Sequence, residues 1–473
     1  MFHKRSWILG LLLFVGLPGC DGGANPADAQ SDDGEAGTLA VAGGAAGVSG
    51  RLGGASGASG ATWTEEQPCG PIDPTLADRD AGELFDYPHV PIFDLYLPDA
   101  DWNALQENAI EEEYTEAEAC FEGRSLGTVG LRFKGSYGTL YGCFDEQGNM
   151  ICPRLSMKLK FDKYVERQRF FGLKRLVFNA NRWDDTRMKE RLAYDLYHAV
   201  GITAPRAAWA VVRVNGKSYG LYGMVEQIDG RFTADRWPDH PDGNVYKELW
   251  PTDTRSDALL SALRTNEEIG DVSDFEAFST AFTEADEGDR LGVLGAFTDL
   301  DYWARYMAVD EAILSYDGVT YFWTDGAERH NHNYYFYADA PGHFTIVPWD
   351  VESTFWINPD HAAPHWTELP EDCDLTYPYW GGLASAPGCD PVFRALNVDH
   401  GAWRAAMQDI LDGPFALDDM LVTIERYRDF VGEAARAKET PTMYAGFDRA
   451  VEEMKSVIPN LRERMEDLIA DTE

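Results

Sequence analysis

Three polar residues bracket one aromatic stretch of the sequence. Asp317 follows a long apolar segment, Asn333 precedes Tyr334-Tyr335-Phe336-Tyr337, and Asp350 stands within Pro348-Trp349-Asp350-Val351-Glu352. If Tyr334 to Tyr337 pairs with Phe344 to Val347 across the Pro341-Gly342 turn, the chain returns to its start and Asn333 and Asp350 meet at one end of a hairpin. One carboxylate and one amide oxygen suit magnesium, which takes a few hard oxygens from the protein and fills its shell with water and phosphate. Asp317 is then the carboxylate available to accept the proton of a substrate hydroxyl. The plainer alternative makes Asp317 a helix-end turn residue and Asp350 a strand-end cap.

A second group of residues would handle a nucleotide. Lys158 and Lys160 occupy alternate positions of Leu155-Ser156-Met157-Lys158-Leu159-Lys160-Phe161 and so share one face of a strand. A lysine there neutralises phosphates as a point charge, oriented by a carboxylate from a neighbouring helix, for which Glu190 is the candidate. Gly135-Ser136-Tyr137-Gly138 is a small-residue turn whose backbone N–H groups can approach phosphate oxygens. Against these stand a solvent-facing pair of lysines and an ordinary hairpin turn. His330 and His332 are read as loop residues rather than metal ligands, and Trp349, Phe355, Trp356, Trp366 and Trp380 as packing beneath a disulfide-bearing loop, with sugar stacking as the alternative.

The elements that must hold these groups follow from periodicity. Pro91 to Leu97 alternates as a strand, and Asp99 to Glu112 reads as a helix with Asp99 as N-cap. Thr128 to Lys134, Leu155 to Phe161 and Leu173 to Phe178 read as strands of a small sheet. Asp184 to Val200 reads as an amphipathic helix ended by Gly201. Ala207 to Val214 and Tyr219 to Ile228 flank Asn215-Gly216, a hairpin signal because both central residues must accept positive φ. After Pro251 the pattern turns helical, over 274–285, 299–316, 403–411, 417–438 and 444–470, interrupted by a single strand pair. The expectation is an α+β chain: a sheet-rich N-terminal lobe over 69–250 and a helical C-terminal lobe over 251–473 that carries the hairpin, the layout of a two-lobed kinase-like phosphotransferase.

The remaining chain speaks to location and partners. Lys4 and Arg5 followed by the apolar run Trp7 to Leu17 read as a signal peptide over 1–19, since a membrane span needs roughly 20 apolar residues. Leu17-Pro18-Gly19-Cys20 resembles the lipobox of bacterial lipoproteins, which implies lipidation of Cys20; the alternative is ordinary signal cleavage. The Gly-, Ala- and Ser-rich stretch up to residue 68 reads as a tether. Setting Cys20 aside from the seven cysteines leaves Cys69, Cys120, Cys143, Cys152, Cys373 and Cys389. In an oxidising compartment these read as disulfides; short separations favour 143 with 152 and 373 with 389, leaving 69 with 120, among many formal pairings. With 40 basic and 80 acidic residues, net −40, the balance argues against nucleic acid or an anionic membrane surface as the main partner, and basic proteins or divalent cations fit better.

Several segments, in order, resemble the spore-coat protein H (CotH) kinase family. They are Val129-Gly130-Leu131-Arg132-Phe133-Lys134-Gly135-Ser136; the Lys158 and Lys160 strand; Lys189-Glu190-Arg191-Leu192-Ala193-Tyr194; Val214-Asn215-Gly216 with Gly220-Leu221-Tyr222 and Glu226; Asn333 to Tyr337; and Val347-Pro348-Trp349-Asp350. They span about residues 88 to 360. The resemblance implies an atypical protein kinase with ATP and magnesium between two lobes and Ser or Thr hydroxyls of a partner protein as acceptors. Asp317 would be the catalytic base, Asn333 and Asp350 metal ligands, Lys158 or Lys160 the phosphate contact, and Glu226 a residue near the lobe junction, with the backbone around it meeting adenine. Two departures stand out. Asn333 lies farther from Asp317 than is usual, with Phe322 to His330 resembling an insertion and Asp325 a fallback base, and Glu352 occupies the place of a second metal-binding aspartate. The function expected is phosphate transfer from Mg-ATP by an envelope-located protein kinase. AMP transfer and a silent surface scaffold or adhesin are the alternatives.

Overall fold

The computed structural model describes residues 69–136, 139–325, 328–357, 363–379 and 382–472. The expected signal peptide, Cys20 and the tether lie outside the described residues, as do Tyr137, Gly138 and Trp380.

Strands β1 (Ile92–Tyr96), β2 (Thr115–Phe121), β3 (Arg124–Lys134), β4 (Ser156–Lys160), β5 (Arg175–Asn179), β6 (Ala207–Val214) and β7 (Lys217–Glu226) close into a barrel in the order β1-β2-β3-β4-β5-β7-β6. The sequence predicts a small sheet with one helix against it; the sheet closes through β1, which pairs antiparallel with β2 and parallel with β6, Ile92 opposite Val211. The barrel follows the period-2 rule. Val129, Leu131 and Phe133 of β3 and Met157 and Leu159 of β4 fill its interior, while Arg132, Lys134, Lys158 and Lys160 alternate outward. On β5, β6 and β7 both faces are apolar. Phe178, Ala210 and Met224 point inward, and Val177, Trp209 and Val225 belong to a second core outside the barrel.

That second core also takes Leu192, Tyr194, Leu196 and Tyr197 of helix Lys189–Ala199. The helix begins later than the expected Asp184, which instead accepts hydrogen bonds from the Thr186 and Lys189 N–H groups at 2.8 and 3.0 Å. Gly201 ends it at φ 77°. The expected helix from Asp99 to Glu112 is Asp99–Glu107 followed by a 3-10 turn. Pro98, not Asp99, is its N-cap; the Asp99 carboxylate accepts from Asn215 Nδ2 at 2.9 Å and so ties the helix to the β6–β7 turn. Asn215 and Gly216 there have φ 49° and 75°, the left-handed pair the hairpin needs.

Beyond the barrel come helices Ser273–Glu284, Leu300–Ile313, Gly401–Asp412, Leu417–Ala435 and Phe447–Asp471, together with two small sheets. One joins β8 (Val245–Lys247) to β11 (Tyr334–Ala340) and β12 (His343–Pro348). The other runs β10-β9-β14-β13, built from β9 (Phe322–Asp325), β10 (Glu328–His330), β13 (Thr376–Tyr379) and β14 (Gly382–Ser385). Both correct the expectation of a single strand pair: these strands are three or four residues long, apart from the β11–β12 hairpin, and too short to show a period.

Cys69–Cys120, Cys143–Cys152 and Cys373–Cys389 are disulfide-bonded, with Cα separations of 5.9, 4.9 and 5.7 Å. Among the described residues no helix is long and apolar enough to cross a membrane.

Candidate active site

A cleft of about 3070 Å³ runs between the outer face of β3 and β4 and the loops at the mouth of the β11–β12 hairpin. Its far wall is built by register. Tyr334 opposes Pro348, so the chain just before β11 and just after β12 lies side by side, and the Trp349 N–H donates to the Asn333 carbonyl at 3.0 Å. Asn333 and Asp350 thus meet at the same end of the hairpin, as expected. Both have left-handed backbones, φ 62° and 50°, and so has Glu248 at φ 53°, which follows β8 and accepts from the Asn333 N–H at 3.1 Å. Asparagine tolerates this region; a glutamate does so only where surrounding contacts hold it, and such strain concentrates at functional sites.

Asp317 lies in the turn after helix Leu300–Ile313, which is stopped by Leu314 in a left-handed conformation. Its two carboxylate oxygens are held from opposite sides. Asn333 Nδ2 donates to Oδ2 at 2.9 Å and to the Asp317 carbonyl at 2.9 Å, and Trp323 Nε1 donates to Oδ1 at 3.0 Å. With the Asn333 amine end committed to Asp317, its amide oxygen is the end left for a cation. Burial raises the Asp317 carboxyl above the ordinary range; His332 and the Trp323 N–H oppose this, while Asp350 and Glu248 add to it.

The near wall carries the cations. Lys158 opposes Arg132 across β3–β4 and Lys160 opposes Arg175 across β4–β5, which puts all four on the barrel's outer face toward the cleft. At 6 % and 7 % exposure the two lysines are wall residues, not a solvent-facing pair. Lys134 shares this face, and the sequence reading gave it no role. Its ammonium donates to Asn179 Oδ1 at 3.1 Å, and Asn179 Nδ2 donates to both Glu190 oxygens at 2.9 and 3.0 Å. Glu190 is therefore linked to a lysine through an amide, and the lysine is Lys134. The alternation Leu131-Arg132-Phe133-Lys134 was the signal that could have found it.

Around Lys134 the cleft is crowded with carboxylates. Burial, then repulsion from Asp350, pushes Glu190 up to about 7, against the pull of Asn179 and Lys134. Burial, then repulsion from Asp350, Glu190 and Asp184, also raises Glu352 well above the ordinary carboxylate range. Among the described residues no three or more His, Cys, Asp or Glu side chains form a self-sufficient metal cage. Two carboxylates beside one amide oxygen fit instead an ion that shares its shell with phosphate. Asn333, Asp350 and Glu352 have the donor chemistry for magnesium, and the excess of buried negative charge is what a divalent cation would relieve.

Gly135 and Ser136 line the cleft. Gly135 has φ 145°, and a Cβ there would lie 2.6 Å from Thr139 Oγ1; the Ser136 N–H donates to that hydroxyl at 3.3 Å. Glu226 is not brought to the cleft. Arg206 and Arg236 grip its buried carboxylate, with Nε and Nη1 contacts of 3.0 Å, whereas Gln227 and Ile228 after it do reach the cavity. His332 pairs with Glu248 at 3.6 Å. Burial disfavours the charge on Glu248, but Lys247, His332 and the Asn333 N–H outweigh it and hold that carboxyl well below the usual range. The segment resembling an insertion is the β9–β10 hairpin; it supplies Trp323 to Asp317, and Asp325 ends β9.

Fold and site together define a mixed α+β protein with a carboxylate-rich cleft facing a lysine-bearing barrel wall. The family described as CotH kinase protein matches residues 131–465, and the chain belongs to that family. The match runs through the C-terminal helices and leaves out the segments before residue 131. Inner spore coat protein H of Bacillus subtilis (strain 168) is 25% identical over 206 residues, 41% of this chain and 53% of that protein. Invasin CotH2 of Rhizopus delemar is 23% identical over 198 residues, 37% of this chain and 31% of that protein. The chain thus spans about half and about a third of these two relatives. Among solved structures, a chain of the Shewanella oneidensis MR-1 toxin–antitoxin HipA, HipB and operator DNA complex overlaps 63% of this chain and 59% of that one, with a TM-score of 0.27 and 13% identity.

Proposed function

We propose that this protein is an extracytoplasmic protein kinase with a two-lobed kinase-like fold, which transfers the terminal phosphoryl group of Mg-ATP to Ser or Thr of an envelope or surface protein. The observation that carries the reading is the convergence of Asp317, Asn333 and Asp350 at one end of the β11–β12 hairpin, across a cleft from Lys134, Lys158 and Lys160. Asp317, with both oxygens hydrogen-bonded and its carboxyl raised, accepts the proton of the acceptor hydroxyl. Lysines of the barrel wall, Lys134 oriented through Asn179 and Glu190, neutralise the phosphates, and the Gly135-Ser136 turn borders them. Asn333, Asp350 and Glu352 would hold magnesium, which when bound balances charge on the phosphates. Such a site works by positioning and charge neutralisation. A location outside the cytoplasm draws support from relatives named as a spore coat protein and an invasin, and Cys20 would anchor the chain to a membrane. The net charge of −40 favours basic acceptors.

A second reading, a surface scaffold or adhesin without catalysis, is favoured by those same names. Calorimetry with ATP and magnesium on the native protein and on Asp350→Ala separates the two. Magnesium-dependent binding that Asp350→Ala removes supports the kinase; no binding by folded native protein overturns it and leaves the scaffold. The mass added to a modified acceptor then distinguishes phosphoryl transfer from AMP transfer.

A further inference from the structure

The β9–β10 hairpin enters the site at one atom. Trp323 Nε1 donates to Asp317 Oδ1 at 3.0 Å, on the oxygen that Asn333 does not hold. Trp323 is itself held from behind. Strand β14 pairs with β9, Ala384 opposite Trp323 and Ser385 opposite Phe322. Tyr379 of β13 meets the indole edge-on at 4.8 Å, and its hydroxyl donates to the carbonyl of Tyr316, the residue before Asp317. Gly382 permits the close approach, since a Cβ there would lie 3.2 Å from the indole Cζ3. The hairpin doing this is closed at its base by Cys373–Cys389, sixteen residues apart in the sequence. Arg329 Nη2, from β10, donates to the Cys373 carbonyl at 2.6 Å, so the disulfide is tied to the inserted segment as well.

We infer that Trp323 is a positioning residue for phosphoryl transfer: its indole N–H fixes the orientation of the Asp317 carboxylate, and the Cys373–Cys389 hairpin fixes Trp323, so turnover depends on that disulfide. The inference rests on the kinase reading of Asp317. A carboxylate rotates freely about its Cα–Cβ and Cβ–Cγ bonds unless both oxygens are held. Asn333 holds one, and a cation on the Asn333 amide oxygen would move that donor with it; Trp323 is the anchor independent of the metal residues. An insertion that spoiled the site would fill it or displace Asp317. This one supplies a hydrogen-bond donor to Asp317.

The test uses the oxidised full chain with γ-labelled ATP and with casein and a histone as acceptors. Trp323→Phe keeps the ring and removes the donor. It is expected to lower kcat about 10- to 100-fold, the worth of one hydrogen bond to a charged group, with KM for ATP and the thermal midpoint unchanged. In an Asp317→Asn background the same substitution should add nothing, because it acts through that carboxylate. Cys373→Ser with Cys389→Ser should lower kcat with the same KM pattern. If Asp317→Asn is inactive while Trp323→Phe runs at the native rate, the positioning role is overturned and the kinase reading stands. A fall in KM affinity and thermal midpoint together with kcat makes Trp323 merely structural and also overturns it. Native kcat in the double serine variant removes the disulfide's part. A native protein without transfer, or Asp317→Asn at the native rate, overturns the kinase reading itself and the inference with it.

Discussion

Lys134 is the residue whose contacts change the account of the site most. The sequence points to Lys158 and Lys160 because they repeat on one strand, yet the amide of Asn179 links Glu190 to Lys134. An ammonium hydrogen-bonded through a neutral amide keeps its charge directed without being cancelled by a direct ion pair, and Glu190, pushed up to about 7, leaves that charge only partly countered. Lys134 also lies 5.8 Å from the Trp349 ring centre, next to Asp350. Replacing it with methionine keeps the length and apolar stem while deleting the charge. Lys134→Met is expected to weaken Mg-ATP binding about tenfold or more in calorimetry, as a charge-assisted hydrogen bond to phosphate would require. Native affinity in that variant would assign the phosphates to Lys158 or Lys160 instead.

Elements that carry their pattern locally were legible in the sequence. The alternation of β3 and β4, the Asn215-Gly216 turn and the Pro341-Gly342 hairpin all depend on neighbours a few residues away, and the hairpin alone sufficed to bring Asn333 and Asp350 together. What escaped depends on distant partners or on size. Barrel closure joins β1 to β6 across more than a hundred residues. In β2 the inward positions include the alanines 117 and 119, whose small side chains give almost no hydrophobic signal. Glu248 follows a three-residue strand, and Trp323 sits on a four-residue one. The docking of the C-terminal helices was equally silent. The Asp185 carboxylate accepts from the N–H groups of Met443, Tyr444 and Ala445, each at 2.7 Å, and the Leu221 N–H donates to Thr440 Oγ1 at 2.8 Å. Asp185 thereby bolts the loop before helix Phe447–Asp471 to the segment leading out of β5. Asp185→Ala strands three backbone donors and should cost about 3 kcal/mol, read as a lower midpoint in urea followed by tryptophan fluorescence. An unchanged midpoint would mean that water replaces the carboxylate there.

Taken whole, the chain carries 40 more negative than positive charges, and its response to acid combines two opposing effects. Protonating surface carboxylates relieves self-repulsion and favours the compact state. Buried, paired carboxylates act in the other direction, and Glu311 is the clearest case away from the proposed metal ligands. It comes from helix Leu300–Ile313, accepts from His365 Nε2 at 2.8 Å and pairs with Arg464 of the last helix, so it joins segments 153 residues apart. Burial opposes its charge, but Arg464 and His365 outweigh burial and bring its carboxyl down from 4.5 to about 2. A carboxyl whose value is lower in the folded state contributes stability that is fully present above about 4.5 and is lost as the pH falls toward 2. The contribution is about 3 kcal/mol. Glu311→Gln lacks it at every pH. The gap in unfolding midpoint between native protein and Glu311→Gln should therefore be constant from neutral pH to about 4.5 and close progressively toward about 2. Because both proteins share the same surface charges, the difference isolates the joint from the general relief of repulsion. A gap that stayed constant through that window would place the acid sensitivity of the fold elsewhere.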